Sequence, residues 1–149
     1  MQRSPQRHAG ATLLELSLAL LIIAVLLAAV APPLLQARDR IAVAAAADAI
    51  LHALSRARLA AIAQGRAAAV IDLSAARVWT EAAVASSDTV ELGVELRVQL
   101  RDGTGAGGVL RLPYGPLGLG AATSRTILIR RGNAQSRVII AAYGRARRS

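Results

Sequence analysis

The stretch GATLLELSLALLIIAVLLAAVAPP, residues 10–33, decides the fold of this 149-residue chain. Between Leu18 and Ala31 it contains no polar side chain. As an α-helix, the segment from Ala11 to Ala31 would be about 31 Å long at about 1.5 Å per residue, which matches a bilayer hydrocarbon core of about 30 Å. The sequence therefore predicts an N-terminal helix that can span a membrane.

Residues 1–10, MQRSPQRHAG, form a polar segment that contains Arg3 and Arg7 but no acidic residue. The positive-inside tendency predicts that the N-terminus stays in the cytoplasm and that the rest of the chain lies outside. A secretory signal peptide also has a basic start and an apolar middle. Two features argue against that alternative: the polar-to-apolar boundary falls between Gly10 and Ala11, and a carboxylate, Glu15, lies inside the apolar run.

Glu15 is the most informative residue of the segment. An ionised carboxylate in the apolar part of a membrane helix costs on the order of 2.5 to 3.5 kcal/mol on insertion scales. Cleavage after Gly10 would create an α-ammonium on Ala11, one helical turn before Glu15 and on the same face. A neighbouring copy could supply the same positive charge. The remaining alternative is a plain signal anchor in which Glu15 is tolerated by snorkelling or protonation.

The heptapeptide GATLLEL, residues 10–16, resembles the class III signal of type IV pilins and type II secretion pseudopilins, in which Gly precedes a short apolar run with Glu at its fifth position. The resemblance implies that a prepilin peptidase cleaves after Gly10 and methylates the new N-terminus of Ala11. It also implies that Glu15 pairs with the ammonium of a neighbouring subunit during assembly. The first mature residue is usually Phe in that family and is Ala11 here.

After the apolar run, Pro32 and Pro33 predict a kink rather than the end of the helix. From Leu34 to Gln64 the sequence has helical spacing, and Gly65 is suited to a left-handed C-terminal cap. The residues expected on the buried face, called here the inner stripe, are Val43, Ala47, Ile50, Leu54, Ala57 and Ala61. Ile41 and Leu59 fall on the polar side, and His52 is expected at the helix surface.

Beyond Gly65 the apolar period changes from 3.6 to 2. Short strands are predicted at 67–73 and 77–80 and at 109–112, with a hairpin formed by 126–130 and 137–142. The alternation from Val90 to Arg101 predicts a strand, or a bent pair, with one buried face. The expected fold class is α+β and pilin-like, with a long N-terminal helix packed on an antiparallel sheet.

The composition excludes several kinds of chemistry. The chain has no Cys, which excludes disulfides, thiolate zinc sites and a Cys nucleophile, and its two His residues argue against a His-based metal site. No G-x-S-x-G, H-E-x-x-H or Walker A motif is present. The glycine-rich run DGTGAGG, residues 102–108, is interpreted as a loop because no helix follows it. We therefore expect neither catalysis nor a cofactor.

The C-terminal part is similar to the GspH/FimT-like domain of H-type minor pseudopilins and related minor pilins. The similarity is carried by the helix end LSRARLAAIAQGR, a strand pair with a Trp, the loop LPYGPLG at 112–118, and the closing YGRAR at 143–147. Together with the N-terminal signal, it implies a leader over 1–10, a transmembrane and filament-core helix over 11–35, and a periplasmic domain over 36–149. An unrelated periplasmic domain on a pilin stem is the alternative.

Two functions are compatible with these features. The first is a minor pseudopilin of the type II secretion pseudopilus, a single-pass inner-membrane protein whose partners are other minor and major pseudopilins and the prepilin peptidase. The second is a FimT-like minor pilin that binds DNA through Arg145, Arg147 and Arg148. Loss of the leader lowers the formal net charge from +9 to +7, because the leader carries Arg3 and Arg7. Alternatively, the terminal arginines only keep the protein soluble.

Overall fold

A computed structural model describes residues 9–83, 89–103, 107–121 and 124–149, with side chains from Thr12 onward. Its helices are α1 Ala9–Gln64 and α2 Leu92–Glu95. Its strands are β1 Ala67–Asp72, β2 Arg77–Ala82, β3 Val90–Glu91, β4 Gln99–Asp102, β5 Val109–Tyr114, β6 Arg125–Arg131, β7 Ala134–Ile140 and β8 Ala146–Arg148. The chain divides into a first unit that ends at Ala37 and a second unit, Arg38–Ser149.

The described residues of the first unit, 9–37, are helical. The helix does not end at Pro32 or Pro33, both of which lie inside α1. Every side chain from Thr12 to Ala37 is exposed, and the large apolar side chains between Leu13 and Leu35 are 51% to 73% exposed. Such a continuous apolar surface is rarely left in water and indicates a lipid or protein environment.

The second unit contains two antiparallel four-stranded sheets instead of the single sheet expected from the sequence. Sheet A has the strand order β3-β2-β1-β5, and sheet B has the order β4-β6-β7-β8. The predicted hairpins are present, with β1 paired to β2 and β6 paired to β7. The fold class is as predicted: a long helix packs on antiparallel sheets.

The helical segment of the second unit packs on these sheets through the predicted face. All six residues of the inner stripe are buried, none more than 3% exposed. Thr80 on β2 donates a hydrogen bond from Oγ1 to the carbonyl oxygen of Ala53, at 3.2 Å in a buried position. Ile41, Leu59 and His52 are exposed, as expected. Gly65 ends the helix with a φ of 84°, a left-handed conformation that glycine adopts without strain.

The prediction of a strand or bent pair from Val90 to Arg101 was wrong over its middle. Only Val90–Glu91 and Gln99–Asp102 are strands, and Leu92–Glu95 forms one turn of helix between them. This segment leaves sheet A and enters sheet B. Val94 was expected on the buried face because it is in phase with the apolar alternation, but it is 75% exposed. The expected alternation survives in β4, where Leu100 and Asp102 are buried.

The turn between β1 and β2 is organised by one carboxylate. Asp72 Oδ1 accepts hydrogen bonds from the Ser74 hydroxyl at 2.6 Å and from the backbone N–H groups of Ser74 and Ala75, both at 3.0 Å. Arg77 lies 3.7 Å from the other oxygen. The hydrogen bond from the Ser74 hydroxyl, followed by that from the Ala75 N–H, lowers the pKa of Asp72 below its ordinary value.

Replacing Ile50 by Ala is expected to lower the free energy of unfolding by about 2 to 5 kcal/mol, because the side chain is fully buried in the inner stripe. The matched control is Ile41→Ala on the same helix, where the side chain is 69% exposed and the expected change is within about 0.5 kcal/mol. Denaturant titration of the full chain in detergent measures both. Equal losses would contradict the assignment of the packed face.

Replacing Asp72 by Ala is expected to cost about 1 kcal/mol at neutral pH through the lost hydrogen bonds. Because the pKa of Asp72 is lowered in the folded chain, its contribution is present above the ordinary carboxyl range and is lost as the pH falls through the folded pKa. Unfolding measured between pH 7 and about pH 2.5 should therefore show the two chains converging below about pH 4. A constant difference would refute this account, and Glu95→Ala serves as an exposed acidic control.

Candidate functional sites on the apolar helix and the C-terminal arginines

The predicted processing and assembly segment is helical. Gly10, Ala11 and Glu15 all lie within α1, so Ala11 and Glu15 are one turn apart on the same face. Arg3 and Arg7 of the predicted leader lie outside the described residues. The Ser17 hydroxyl donates to the carbonyl oxygen of Leu13 at 2.8 Å, which satisfies this hydroxyl within the helix.

Glu15 has an exposed side chain within the apolar surface of the first unit. Among the residues that the structure describes, no basic side chain forms an ion pair with its carboxylate. A carboxylate surrounded by leucine and isoleucine side chains is costly in lipid unless a cation or a hydrogen-bond donor compensates it. No ion pair of this kind is present in the described part of the chain.

One helix of the described chain, Thr12–Gln64, is long and apolar enough to cross a membrane, judged by length and composition alone. The most apolar part is near its N-terminus and is not buried inside the protein. This property distinguishes the segment from the core helix of a soluble domain, which is mostly covered by its own fold.

The three predicted C-terminal arginines have different environments. Arg145 precedes β8, while Arg147 and Arg148 lie on it, and all three are exposed. Arg148 forms an ion pair with Asp48 of α1 at 3.2 Å, and both side chains are about half exposed. Within the described part of the chain, Arg145 and Arg147 have no acidic partner. Only these two of the three keep an uncompensated charge.

A tight turn positions these arginines. Gly144 has a φ of 79°, and its N–H donates to the carbonyl oxygen of Ala141 at 2.9 Å. The buried Tyr114 donates from its hydroxyl to the carbonyl oxygen of Gly144 at 3.2 Å, and burial raises the pKa of that phenol. A Cβ at Gly144 would lie 2.5 Å from the Tyr114 ring, so this position requires glycine. The turn returns the chain to pair with β7 and places Arg145 at the surface.

Arg131, the last residue of β6, has a structural role, because its guanidinium binds groups from two other parts of the second unit. Its Nε lies 2.8 Å from the Asp39 carboxylate, and its guanidinium donates to the carbonyl oxygen of Leu96 at 2.6 Å. The side chain is only 15% exposed. Arg131 therefore ties α1 to the segment that crosses between the two sheets, and its charge is compensated.

Sequence reasoning missed Arg101 on β4, which lies on the same sheet as Arg130 and Arg137. The alternating pattern QLRD, residues 99–102, marks Arg101 as outward facing, but only strand register shows which arginines of other strands it neighbours. In the described residues, no three His, Cys, Asp or Glu side chains lie close enough together to hold a metal ion.

No protein-family model matches the chain, and no curated protein is significantly similar to it in sequence. Among solved structures it is similar to the type IV minor pilin FimU of Pseudomonas aeruginosa in two crystal forms, at 17% identity and a TM-score of 0.54. The similarity covers 70% of this chain and 86% and 90% of the two FimU chains. At this identity the likeness shows the fold alone, which is pilin-like.

Proposed function

We propose that this protein is a minor pseudopilin, a structural and non-enzymatic subunit of the type II secretion pseudopilus. The observation that carries the proposal is the combination of a pilin-like fold with a single carboxylate, Glu15, one turn after Ala11 in an exposed apolar helix. The helix would anchor the subunit in the inner membrane, with the N-terminus in the cytoplasm and the second unit in the periplasm.

In this proposal, a prepilin peptidase cuts the Gly10–Ala11 bond and methylates Ala11. The new ammonium then lies one helical turn from Glu15 of its own chain, and the ammonium of a neighbouring subunit can approach the same carboxylate. In a low-dielectric environment, this attraction is much stronger than in water. The pair would fix the register between adjacent subunits while the leucine-rich surface excludes solvent.

A second candidate function is binding of DNA by a minor pilin. The observation that favours it is that Arg145 and Arg147 are exposed without an acidic partner among the described residues, and that Tyr143, two residues before Arg145 in sequence, is 75% exposed. Contacts of this kind are directed at phosphates, so the affinity should fall steeply with salt and should not depend on sequence. Arg148 should contribute less, because Asp48 already compensates its charge.

Coexpression of the full chain with a prepilin peptidase is expected to yield a protein that begins with methylated Ala11, as measured by intact mass. Glu15→Gln should be processed like the parent chain but should fail to enter filaments, because it keeps the size of the side chain and removes its charge. The matched control is Ser17→Ala, which removes a hydroxyl satisfied within its own helix. A mature chain that begins elsewhere, or normal assembly of Glu15→Gln, would overturn the proposal.

Fluorescence anisotropy of labelled duplex DNA with the full chain in nonionic detergent separates the two functions. If the protein acts in secretion alone, binding at low salt should be weaker than micromolar. If it binds DNA, Arg145→Ala with Arg147→Ala should remove affinity that Arg148→Ala largely preserves, and the affinity should fall about 10³-fold or more between 50 and 200 mM salt for six or more phosphate contacts. Strong binding unaffected by the double variant would exclude this site.

A further inference from the structure

The outer face of sheet B carries one arginine from each of its four strands. We call Arg101, Arg130, Arg137 and Arg147, from β4, β6, β7 and β8 respectively, the arginine face. All four arginines are exposed. The residues next to them on the same strands, such as Leu100, Ile129 and Val138, are buried. The alternation of side chains along each strand therefore directs the four guanidinium groups to one side.

The strand register places the four arginines in a connected array. Arg130 lies opposite Gln99 on β4 and Gln135 on β7, which are two residues from Arg101 and Arg137 respectively. Arg147 lies opposite Ile139, again two residues from Arg137. Each arginine is thus a diagonal neighbour of the next, at about 7–8 Å. The array extends over three strand spacings, about 14 Å at about 4.8 Å per strand.

No acidic side chain compensates this array within the described residues. Asp102 faces the interior and pairs with Arg125 at 3.1 Å. Asp39 and Asp48, which belong to α1, pair with other arginines of sheet B. Arg130 donates from Nε to the carbonyl oxygen of Gly132 at 3.2 Å, which orients the guanidinium without neutralising it.

A small cavity continues the arginine face at one edge. It has a volume of about 260 Å³ and is lined by Arg97, Gln99, Arg130, Arg131 and Gly132. Arg97 has a φ of 52°, which is uncommon for a side chain larger than that of glycine. Arg97, Gln99 and Arg130 are exposed residues of the types that donate hydrogen bonds to phosphate groups, whereas Arg131 is already paired with Asp39.

The centre of the face is apolar and contains no aromatic residue. Leu128 lies between Arg101 and Arg137, and Ile139 lies beside Arg147; both are half-buried. The absence of an aromatic side chain leaves no platform for stacked bases. Basic residues around aliphatic side chains instead match the boundary between lipid headgroups and acyl chains.

We infer that the arginine face docks on the anionic phospholipid headgroups of the membrane in which the protein is anchored. The inference rests on the proposed membrane anchorage, because the chain leaves the expected transmembrane segment at residue 35 and enters the second unit at Arg38. Such a short connection gives the domain a high effective concentration at the lipid surface. Arginines near an anionic leaflet are attracted within about one Debye length, so the docking is sensitive to salt. Docking would hold the domain against the membrane until the subunit is extracted.

The test uses the full chain in lipid nanodiscs, with a fluorophore on a single cysteine. The chain contains no Cys, so Gln135→Cys places the only thiol on the arginine face, and Ser55→Cys places it on the exposed side of α1 as the control position. With brominated acyl chains, the label at 135 should be quenched in discs that contain phosphatidylglycerol and not in pure phosphatidylcholine. The label at 55 should change little in either lipid.

The quenching should be lost as the NaCl concentration is raised from about 0.05 to about 0.5 M, because salt screens the attraction between the arginines and the lipid phosphates. Arg101→Gln with Arg137→Gln should remove most of it, whereas Arg56→Gln with Arg58→Gln, two exposed arginines of α1, should not. Equal quenching in both lipids, no quenching, or equal effects of the two double variants would overturn the inference. A label that responds to added duplex DNA but not to anionic lipid would also overturn it, in favour of a nucleic-acid surface. Failure of the chain to enter nanodiscs would count against the anchor itself, and hence against the proposed function.

Discussion

Four alanines of α1, Ala46, Ala47, Ala57 and Ala61, are fully buried in the core, and their small side chains allow a close approach of the helix backbone to the sheets. The chain has no Phe, so apart from the Tyr114 ring the core consists largely of small and aliphatic side chains and depends on this close approach. The hydrogen bond from Thr80 to the Ala53 carbonyl shows how near β2 comes to the helix backbone. Larger side chains at these four positions would force the helix away from the sheets.

Two acidic residues of the same helix determine which arginines of sheet B are paired. Asp39 and Asp48 face the sheet and pair with Arg131 and Arg148, so these two guanidinium groups are turned toward the helix and are partly or fully compensated. The arginines at alternate positions along the strands face outward, where no acid of the described chain meets them. The outward arginines of sheet B therefore form a basic surface, because the acids near this sheet, Asp39, Asp48 and Asp102, pair with other arginines.

Each of the two units carries charged side chains that have no partner of opposite charge among the described residues. The Glu15 carboxylate lies on an apolar helix surface without a basic partner among the described residues, and the arginine face has no acidic partner there. Both are expected of a subunit whose interactions are intermolecular, since a self-sufficient soluble domain would neutralise or hydrate such groups within its own fold.

The amino-acid sequence by itself determined the length and position of α1, the residues of its buried face, the C-terminal cap at Gly65 and the two tight hairpins, because helical and alternating periods are local properties. It also identified Glu15 as anomalous, because a carboxylate in a leucine-rich segment can be recognised as unusual from the sequence alone. Only the tertiary structure decided that the strands form two sheets and that the segment after Val90 crosses between them, which leaves Val94 exposed despite its alternation. Likewise, strand register and the acids of α1, which are distant in sequence, decided which arginines are paired and which remain available at the surface.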